Sequence, residues 1–530
     1  MMQHPPVALA DLARRLAGAG MIVRADRADA DVQVTRLTAD SREAGPGALF
    51  VATRGAGADG HAYLGAALDA GAAGIVCETL TDDMADVAAA RGAAVLVVRS
   101  SREAYAEAAA MAWGDPSRAL TMVGVTGTNG KTTTAFLLHH LFGTLGVTAG
   151  MIGTVETRIG DVCRPSTHTT PDALALHGLL REMASAGVTH VAMEVSSHAL
   201  DQARVHGVRF AAAAFTNLTR DHLDYHPSFE DYAAAKRRLF DGLAPGALAV
   251  TNADDAHGAA MVAQTAARVR TYAVALGGDA AAPPADLRVD VRENVLAGLF
   301  LEMTGMGLAQ APRRYRLVGA FNAANLGCAA AVAIGLGFDA VAVLDALAAA
   351  PPVPGRFEQF VDDIGRVVVV DYAHTPDALE NALATMRATM GPKGCLWVVF
   401  GCGGDRDAGK RPQMAAAAER LADRLVLTSD NPRTEDPEAI LDAIAAGLTR
   451  APEARLADRL AAIAYVAHEA AAGDAVLIAG KGHEAYQIVG HETRHFDDRE
   501  TAQALFGAAA PAPSAASAAF PLTGASARRA

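Results

Sequence analysis

The segment Gly-Val-Thr-Gly-Thr-Asn-Gly-Lys-Thr-Thr-Thr, residues 124–134, constrains this chain more than any other. It follows the apolar run 120–125 and leads into a helical pattern from Thr132 to about Leu145, with Gly146 placed to stop it. A strand, a glycine-rich turn and a helix N-terminus together present backbone N–H groups and the positive end of the helix dipole to a phosphate. In that geometry Lys131 would pair with the terminal phosphates of a nucleotide, and the Thr132 hydroxyl would face Mg²⁺. Such a unit belongs in a parallel sheet covered by helices, so an α/β fold is expected. One departure from the common nucleotide-binding pattern stands out: Val125 occupies the place, five before Gly130, where glycine is usual. The loop alone leaves a kinase, a nucleotide-driven switch and a ligase open.

The same alternation recurs along the chain. Buried strands are expected at 47–52 and 94–98, then at 188–193, 211–215 and 247–250, then at 366–370, 395–400, 424–427 and 474–479, with helical patterns between them. A less regular stretch, 270–315, reads as an antiparallel excursion before a helix beginning near Asn322. At 530 residues the chain is too long for one core. Residues 113–118, with Gly114 and Pro116, read as a linker, and Pro-Pro-Val-Pro-Gly at 351–355 marks a second boundary. Three α/β domains are therefore expected, at 1–117, 118–350 and 351–506. The Ala/Pro/Ser-rich end, 507–530, reads as a disordered tail.

Composition removes several function classes. A net charge of −13 argues against a nucleic-acid binder, while leaving room for a local basic pocket. The most apolar stretch, 327–338, is short, broken by glycines and followed by Asp339, so it reads as a buried helix and no membrane insertion is expected. No export signal is read at the N-terminus. The five cysteines are scattered without a C-x-x-C pair, which fits a reducing compartment, the cytoplasm.

Further segments follow in order: Asp40-Ser41-Arg42, Met193-Glu-Val-Ser-Ser-His198, Asn217-Leu-Thr-Arg-Asp-His-Leu-Asp-Tyr-His226, Asp371-Tyr-Ala-His-Thr-Pro-Asp377, Gly401-Cys-Gly-Gly-Asp-Arg-Asp407, Asp430-Asn-Pro-Arg433 and Gly480-Lys-Gly-His-Glu484. With the Thr-Gly-Thr-Asn-Gly-Lys-Thr loop, they resemble the Mur ligase family, and within it the diaminopimelate-adding branch, from about residue 35 to about residue 506. The resemblance implies a UDP-binding N-terminal domain, a central P-loop-type ATPase domain with a parallel sheet, and a Rossmann-like C-terminal domain that binds the amino acid.

The residues have readings of their own beside the family one. Glu194 ends an apolar strand, where carboxylates often reach a nucleotide's metal. His222, with Asp221, Asp224 and His226, reads either as a polar loop or as a metal cluster. The resemblance implies that Glu194 and His222, with Thr132, hold magnesium, and leaves Asp224 and His226 structural. Lys236 reads as an ordinary surface lysine on a helix; the family's Tyr-x-Ala-Ala-Lys pattern implies a carbamylated one (N6-carboxylysine). Asn325 lies near a helix start, where asparagine often caps.

ATP is expected at Gly127, Thr128, Asn129, Gly130, Lys131, Thr132 and Thr133. The resemblance adds Asn325 and, from the C-terminal domain, Arg356, Asp371 and His374. It places UDP-MurNAc-L-Ala-D-Glu at Ser41, with the loop 55–60, and at Thr169, Thr170, Ser196, Gln202 and Arg204. It places meso-diaminopimelate at Arg406, Asp430, Asn431, Pro432, Arg433, Gly480 and Glu484. An arginine at 433 would attract a second carboxylate and repel the cation of lysine. The implied activity is amide-bond formation through an acyl phosphate in cytoplasmic peptidoglycan precursor synthesis, by a monomer using ATP and Mg²⁺. A lysine-adding relative, a folylpolyglutamate-type ligase and a switch without ligase activity are the alternatives.

Overall fold

The computed structural model describes residues 4–29, 31–55, 58–276, 283–390 and 394–507. Beyond Gly507, the reading of a disordered tail falls outside the described residues. The chain divides into two compact units, residues 1–353 and 354–530, and the division falls inside the proline run at 351–355.

The first unit holds two large sheets. In the smaller, the strands run in the order Ile22–Asp26, Ala94–Val98, Gly74–Cys77, Ala48–Val51 and Arg36–Thr38, parallel except for the first pair. Their apolar runs are buried on both faces, as parallel strands require. The larger sheet has eleven strands. Its parallel core runs Ala149–Ile152, His190–Glu194, Thr121–Thr126, Phe210–Phe215, Leu248–Asn252, Arg268–Leu276 and Leu287–Val295. Antiparallel strands extend it at both edges: Glu156–Ile159 and Val162–Pro165 on one side, Gly298–Gly305 and Leu308–Tyr315 on the other. The excursion expected across 270–315 is thus the far edge of this sheet.

Helices cover both of its faces. On one, Leu137, Leu138 and Leu141 of the helix Lys131–Thr144 pack with Ala323, Leu326 and Val332 of the helix Ala320–Gly335. On the other, Leu176, Leu180 and Met183 of the helix Ala173–Ser185 share a core with Tyr232, Leu239 and Phe240 of the helix Phe229–Asp241. The stretch expected to be a linker, 113–118, is instead a packed corner. Trp113 and Ser117 are buried, Pro116–Ala119 makes a 3₁₀ turn, and Ser117 Oγ accepts from the Arg209 N–H (3.1 Å). The indole packs against Gly178 of the helix Ala173–Ser185 and the serine bonds the backbone of Arg209, contacts that a sequence reading of Gly and Pro as breakers does not register.

The second unit is a six-stranded sheet in the order Glu358–Val361, Val367–Asp371, Ala475–Ala479, Leu396–Phe400, Arg424–Thr428 and Ala454–Leu456, parallel after the first pair. The hairpin of Tyr486–Val489 and Glu492–His495 follows the strand Ala475–Ala479. Arg459, wholly buried, pairs with the equally buried Asp498 (2.6 Å) and donates to the carbonyls of Ser429 (3.1 Å) and Ala479 (2.9 Å). It therefore ties a helix to the ends of two strands. Among the described residues no helix is long and apolar enough to cross a membrane.

Removing one partner of a buried ion pair leaves the other uncompensated. Arg459→Met is expected to destabilise the second unit by about 3–5 kcal/mol, measured by chemical denaturation. A second expectation concerns acid. Burial pushes His177 down to about 4 from the ordinary 6.5, so the unfolded chain binds a proton at a pH where the folded chain does not. Its contribution leaves stability intact above pH 6.5 and lowers it progressively as pH falls from 6.5 toward 4. Comparing denaturation midpoints at pH 7 and pH 5 should show a smaller acid loss for His177→Gln than for the parent chain.

Candidate active site

The strand Thr121–Thr126 lies mid-sheet, and its register sets Glu194 beside Val125 and Phe215 beside Thr126. Carboxyl ends of parallel strands open a crevice where ligands bind. The loop 127–130 is fixed there by the segment after Phe215. Thr128 N–H donates to Asn217 O (2.8 Å), Asn129 N–H to Asn217 Oδ1 (2.9 Å), and Thr216 Oγ1 to Asn129 O (2.6 Å). Gly130 has φ +86°, and a Cβ there would lie 2.4 Å from Asn325 Oδ1. Conformation and space both demand glycine. The helix that follows begins at Lys131, and a helix N-terminus there carries the positive end of the helix dipole, which favours a phosphate.

Two lysines meet at this loop. Lys131 Nζ donates to Gly127 O (2.9 Å) and Thr128 O (2.7 Å), and Lys236 Nζ reaches the same Gly127 O (2.8 Å). Lys236 is almost wholly buried and lies 4.4 Å from the centre of the Tyr232 ring. Burial first, then the charge of Lys131, drives its amine well below the ordinary lysine range, toward the neutral form.

Glu194, also buried, accepts from Thr132 Oγ1 (2.9 Å) and Thr154 Oγ1 (3.0 Å) on one oxygen and from Thr154 N–H (2.7 Å) on the other. A hydroxyl and a carboxylate at a phosphate loop are hard oxygen donors and fit Mg²⁺. His222, at φ +55°, lies edge-on to His198 (4.8 Å) and 3.4 Å from Asp221; burial lowers it to about 3, so it is neutral. Among the described residues no group of three or more His, Cys, Asp or Glu is arranged to hold a metal by itself, so a cation here would draw on the Thr132 hydroxyl and on phosphate oxygens. His226 bonds Ser197 Oγ (3.0 Å), a structural contact.

A connected polar chain leads away from Glu194. Thr169 Oγ1 bonds Thr154 Oγ1 (3.0 Å), Thr170 Oγ1 donates to Glu194 O (2.8 Å), and Ser196 N–H donates to Thr170 Oγ1 (3.1 Å). Arg204 donates to Thr170 O (2.9 Å) and grips Gln202 Oε1 with two nitrogens (2.9 and 2.7 Å), while Gln202 Nε2 donates to Tyr225 OH (3.1 Å). Ser41 opens a short 3₁₀ turn capped by Asp40. A cavity of about 680 Å³ borders Asp40, Glu43, Tyr105, Trp113, Asp172 and Leu174. In the loop 55–60, Ala56 and Gly57 lie outside the described residues.

In the second unit, the loops after Asp371, Phe400, Thr428 and Ala479 leave the same edge of the sheet. Asp371 accepts from Phe357 N–H (2.6 Å), Arg356 stacks 4.3 Å from the centre of the Tyr372 ring, and His374 Nδ1 bonds Tyr372 O (2.9 Å). Burial raises Asp371, and Arg356 opposes the rise. Asn431 Nδ2 donates to Glu484 Oε2 (2.9 Å), and Gly480 leaves room for Asp430, whose Oδ2 lies 2.8 Å from where a Cβ would stand. Arg433, at φ +51°, donates to Gly404 O (2.8 Å), while its own N–H pairs with Ile488 O (3.1 Å) of the hairpin. Pro432 is buried beneath it, and Arg406 is exposed at the lip, donating to Asp405 O (2.9 Å).

The sequence matches the Mur ligase middle domain over residues 125–333, the Mur ligase glutamate ligase domain over 355–482, and the Mur ligase family catalytic domain over 33–113. It is 45% identical over 502 residues to the UDP-N-acetylmuramoyl-L-alanyl-D-glutamate--2,6-diaminopimelate ligase of Chlorobaculum tepidum, spanning 94% of this chain and 96% of that protein. The like-named protein of Parabacteroides distasonis is 42% identical, over 92% and 97%. The chain belongs to the Mur ligase family.

A solved structure titled as a UDP-N-acetylmuramoyl-L-alanyl-D-glutamate--2,6-diaminopimelate ligase covers 95% of this Mur ligase and 99% of its own chain, at 34% identity and a TM-score of 0.64. A MurF ligase from Thermotoga maritima in complex with ADP shares the fold at 20% identity and a TM-score of 0.54, over 84% and 93%. Against the sequence reading, this Mur ligase places Asn325 inside a helix rather than at its cap, which is Gly319. Its side chain is buried and bonds Asn322 Oδ1 (3.0 Å), with its own Oδ1 against Gly130. Four residues escaped the sequence reading: Thr154 and Asn217, which hold Glu194 and the phosphate loop; Tyr232, whose OH lies 3.0 Å from Thr128 Oγ1; and Lys481. Asn217, Tyr232 and Lys481 sit inside motifs already singled out; Thr154 has no such signal.

Gly130→Ala is expected to weaken binding of a fluorescent ATP analogue by at least about tenfold, equivalent to ~1.4 kcal/mol. Adding Asn325→Ala should restore only part of it, because the clash is relieved and the left-handed backbone is not.

Proposed function

We propose that this chain joins meso-diaminopimelate to the D-glutamate side-chain carboxylate of UDP-MurNAc-L-Ala-D-Glu at the expense of ATP, in peptidoglycan precursor synthesis. One observation carries the choice of amino acid. The loop cluster of the second unit holds both the guanidinium of Arg433, which donates to Gly404 O (2.8 Å), and the partly buried carboxylate of Glu484, which accepts from Asn431 Nδ2 (2.9 Å), two residues before Arg433. A cation and an anion together complement the second carboxylate and second ammonium of diaminopimelate; lysine offers only the ammonium. The names of the similar ligases support the same reading.

An amide does not form from a carboxylate and an amine without activation. In the proposed sequence the D-glutamate carboxylate oxygen attacks the γ-phosphorus of ATP and ADP leaves. The diaminopimelate amine then attacks the acyl carbon, phosphate leaves with the former carboxylate oxygen, and the amine gives up a proton. Catalysis here is mainly positioning and charge compensation. The loop 127–130, Lys131 and Thr133 would hold the phosphates, with Asn325 at the nucleotide; within the second unit, Arg356, Asp371 and His374 are the residues proposed for ATP. Thr132 and Glu194, with the neutral His222 nearby, would hold Mg²⁺, which when bound offsets phosphate charge. Thr169, Thr170, Ser196, Gln202 and Arg204 would orient the peptide end of the precursor, and Ser41 its nucleotide end. Lys236, buried and driven toward its neutral amine, is suited to carry a carbamate, since only the free amine adds CO₂. The enzyme acts in the cytoplasm as a monomer in this reading.

Phosphate release with UDP-MurNAc-L-Ala-D-Glu and ATP tests the assignment. Strong release with meso-diaminopimelate and little with L-lysine is expected; the reverse would overturn it, and release with neither would favour a switch. Arg433→Ala should raise KM for diaminopimelate by roughly 10–100-fold, about 1.4–2.7 kcal/mol, with a smaller change in kcat.

A further inference from the structure

Lys481 is buried without any exposed surface, yet no step above uses it. Its Nζ lies 3.2 Å from Glu484 Oε2 and 3.3 Å from Asn431 Oδ1, and 5.4 Å from the centre of the Tyr486 ring. Asn431 is itself fixed, since its Oδ1 also accepts from the Ile488 N–H (3.0 Å) of the hairpin. Glu484 Oε2 thus receives two donors, from Asn431 and Lys481, while Oε1 has the long contact from Tyr372 OH (3.5 Å). One oxygen is held by two donors, the other by a single long contact.

The charged and titratable groups around Glu484 come from five elements: Asp430 from the loop after Thr428, Tyr372 from the loop after Asp371, Arg459 from its helix, Tyr486 from the hairpin, and Lys481 beside it. Burial and Asp430 push the Glu484 carboxyl up; Lys481 and Asn431 pull it down. Without Lys481 the balance tips toward the protonated acid, which cannot pair with an ammonium.

We propose that Lys481 is a positioning residue for amino-acid selection: its ammonium anchors Oε2 of Glu484 so that Oε1, as carboxylate, receives the distal ammonium of diaminopimelate. This rests on the ligase reading above.

The test compares Lys481→Met, Lys481→Arg and the parent enzyme with meso-diaminopimelate and with 2-aminopimelate, which lacks the distal amine, between pH 6 and 8.5. For diaminopimelate, Lys481→Met should raise KM at least tenfold at pH 6.5, with the penalty shrinking as pH rises and Glu484 ionises, and with kcat changed less than threefold. KM for 2-aminopimelate should be nearly unaffected, and Lys481→Arg should recover most of the loss. Equal losses with both amino acids, or a pH-independent loss, would overturn the proposal. Should Lys481→Met fold poorly, Lys481→Gln decides: a KM for diaminopimelate at pH 6.5 unchanged from the parent would count against the proposal, and a rise of at least tenfold that shrinks as pH rises would support it. A last measurement needs no substrate. The carboxyl titration of Glu484, followed by ¹³C NMR and assigned by its absence in Glu484→Gln, should move up in Lys481→Met. Movement there without diaminopimelate turnover would leave Lys481 in its role and defeat the ligase reading; no movement would defeat the role of Lys481.

Discussion

Two ammonium groups, those of Lys131 and Lys236, donate to the single carbonyl of Gly127. Like charges brought together under burial are costly, and one of them must give way. Lys236 does, because it is the more deeply buried. The arrangement depends on a backbone that turns the Gly127 carbonyl toward both lysines while the Thr128 and Asn129 N–H groups are held by Asn217. Asn217, Thr216 and Tyr232 keep it so from two other segments. The loop is therefore a product of three pieces of chain rather than one, and the centre of the eleven-stranded sheet is where those pieces can meet.

The second unit solves a related problem with different means. It buries an arginine at the start of a helix and a lysine in a loop, and both have partners. Arg459 pairs with Asp498 and two strand-end carbonyls, and Lys481 pairs with Glu484 and Asn431. A polar cluster of this kind is stable only when its members are satisfied. The result is a rigid edge on which Arg433 can stand at a left-handed φ, held by the hairpin.

Much of this was legible in the linear chain. The expected strands fall within one or two residues of those observed, because each is an apolar run bounded by turn residues, and burial on both faces of a parallel sheet demands such runs. The stretch 270–315, read as an antiparallel excursion from its irregularity, is antiparallel only from Leu287 onward, since Arg268–Leu276 pairs parallel with both its neighbours. Two readings failed. Residues 113–118 looked like a linker from Gly114 and Pro116, but Trp113 is buried against Gly178, 65 positions away. Asn325 looked like a helix cap from its neighbourhood, but its role is set by contact with Gly130, across the fold.

The sequence by itself determined the strands it marked with apolar runs, the phosphate loop with its helix, and the motifs that point to the family, because these depend on neighbours a few residues apart; the short strands Gly74–Cys77 and Ala149–Ile152 escaped it. Only the tertiary structure decided which motifs share a crevice, that Glu194 is gripped by Thr132 and Thr154, that Lys236 is driven toward neutrality, and that Lys481 faces Glu484. Burial and electrostatic coupling are properties of what surrounds a group in space. Residues as far apart as Gly127 and Lys236 acquire them only when the chain has folded.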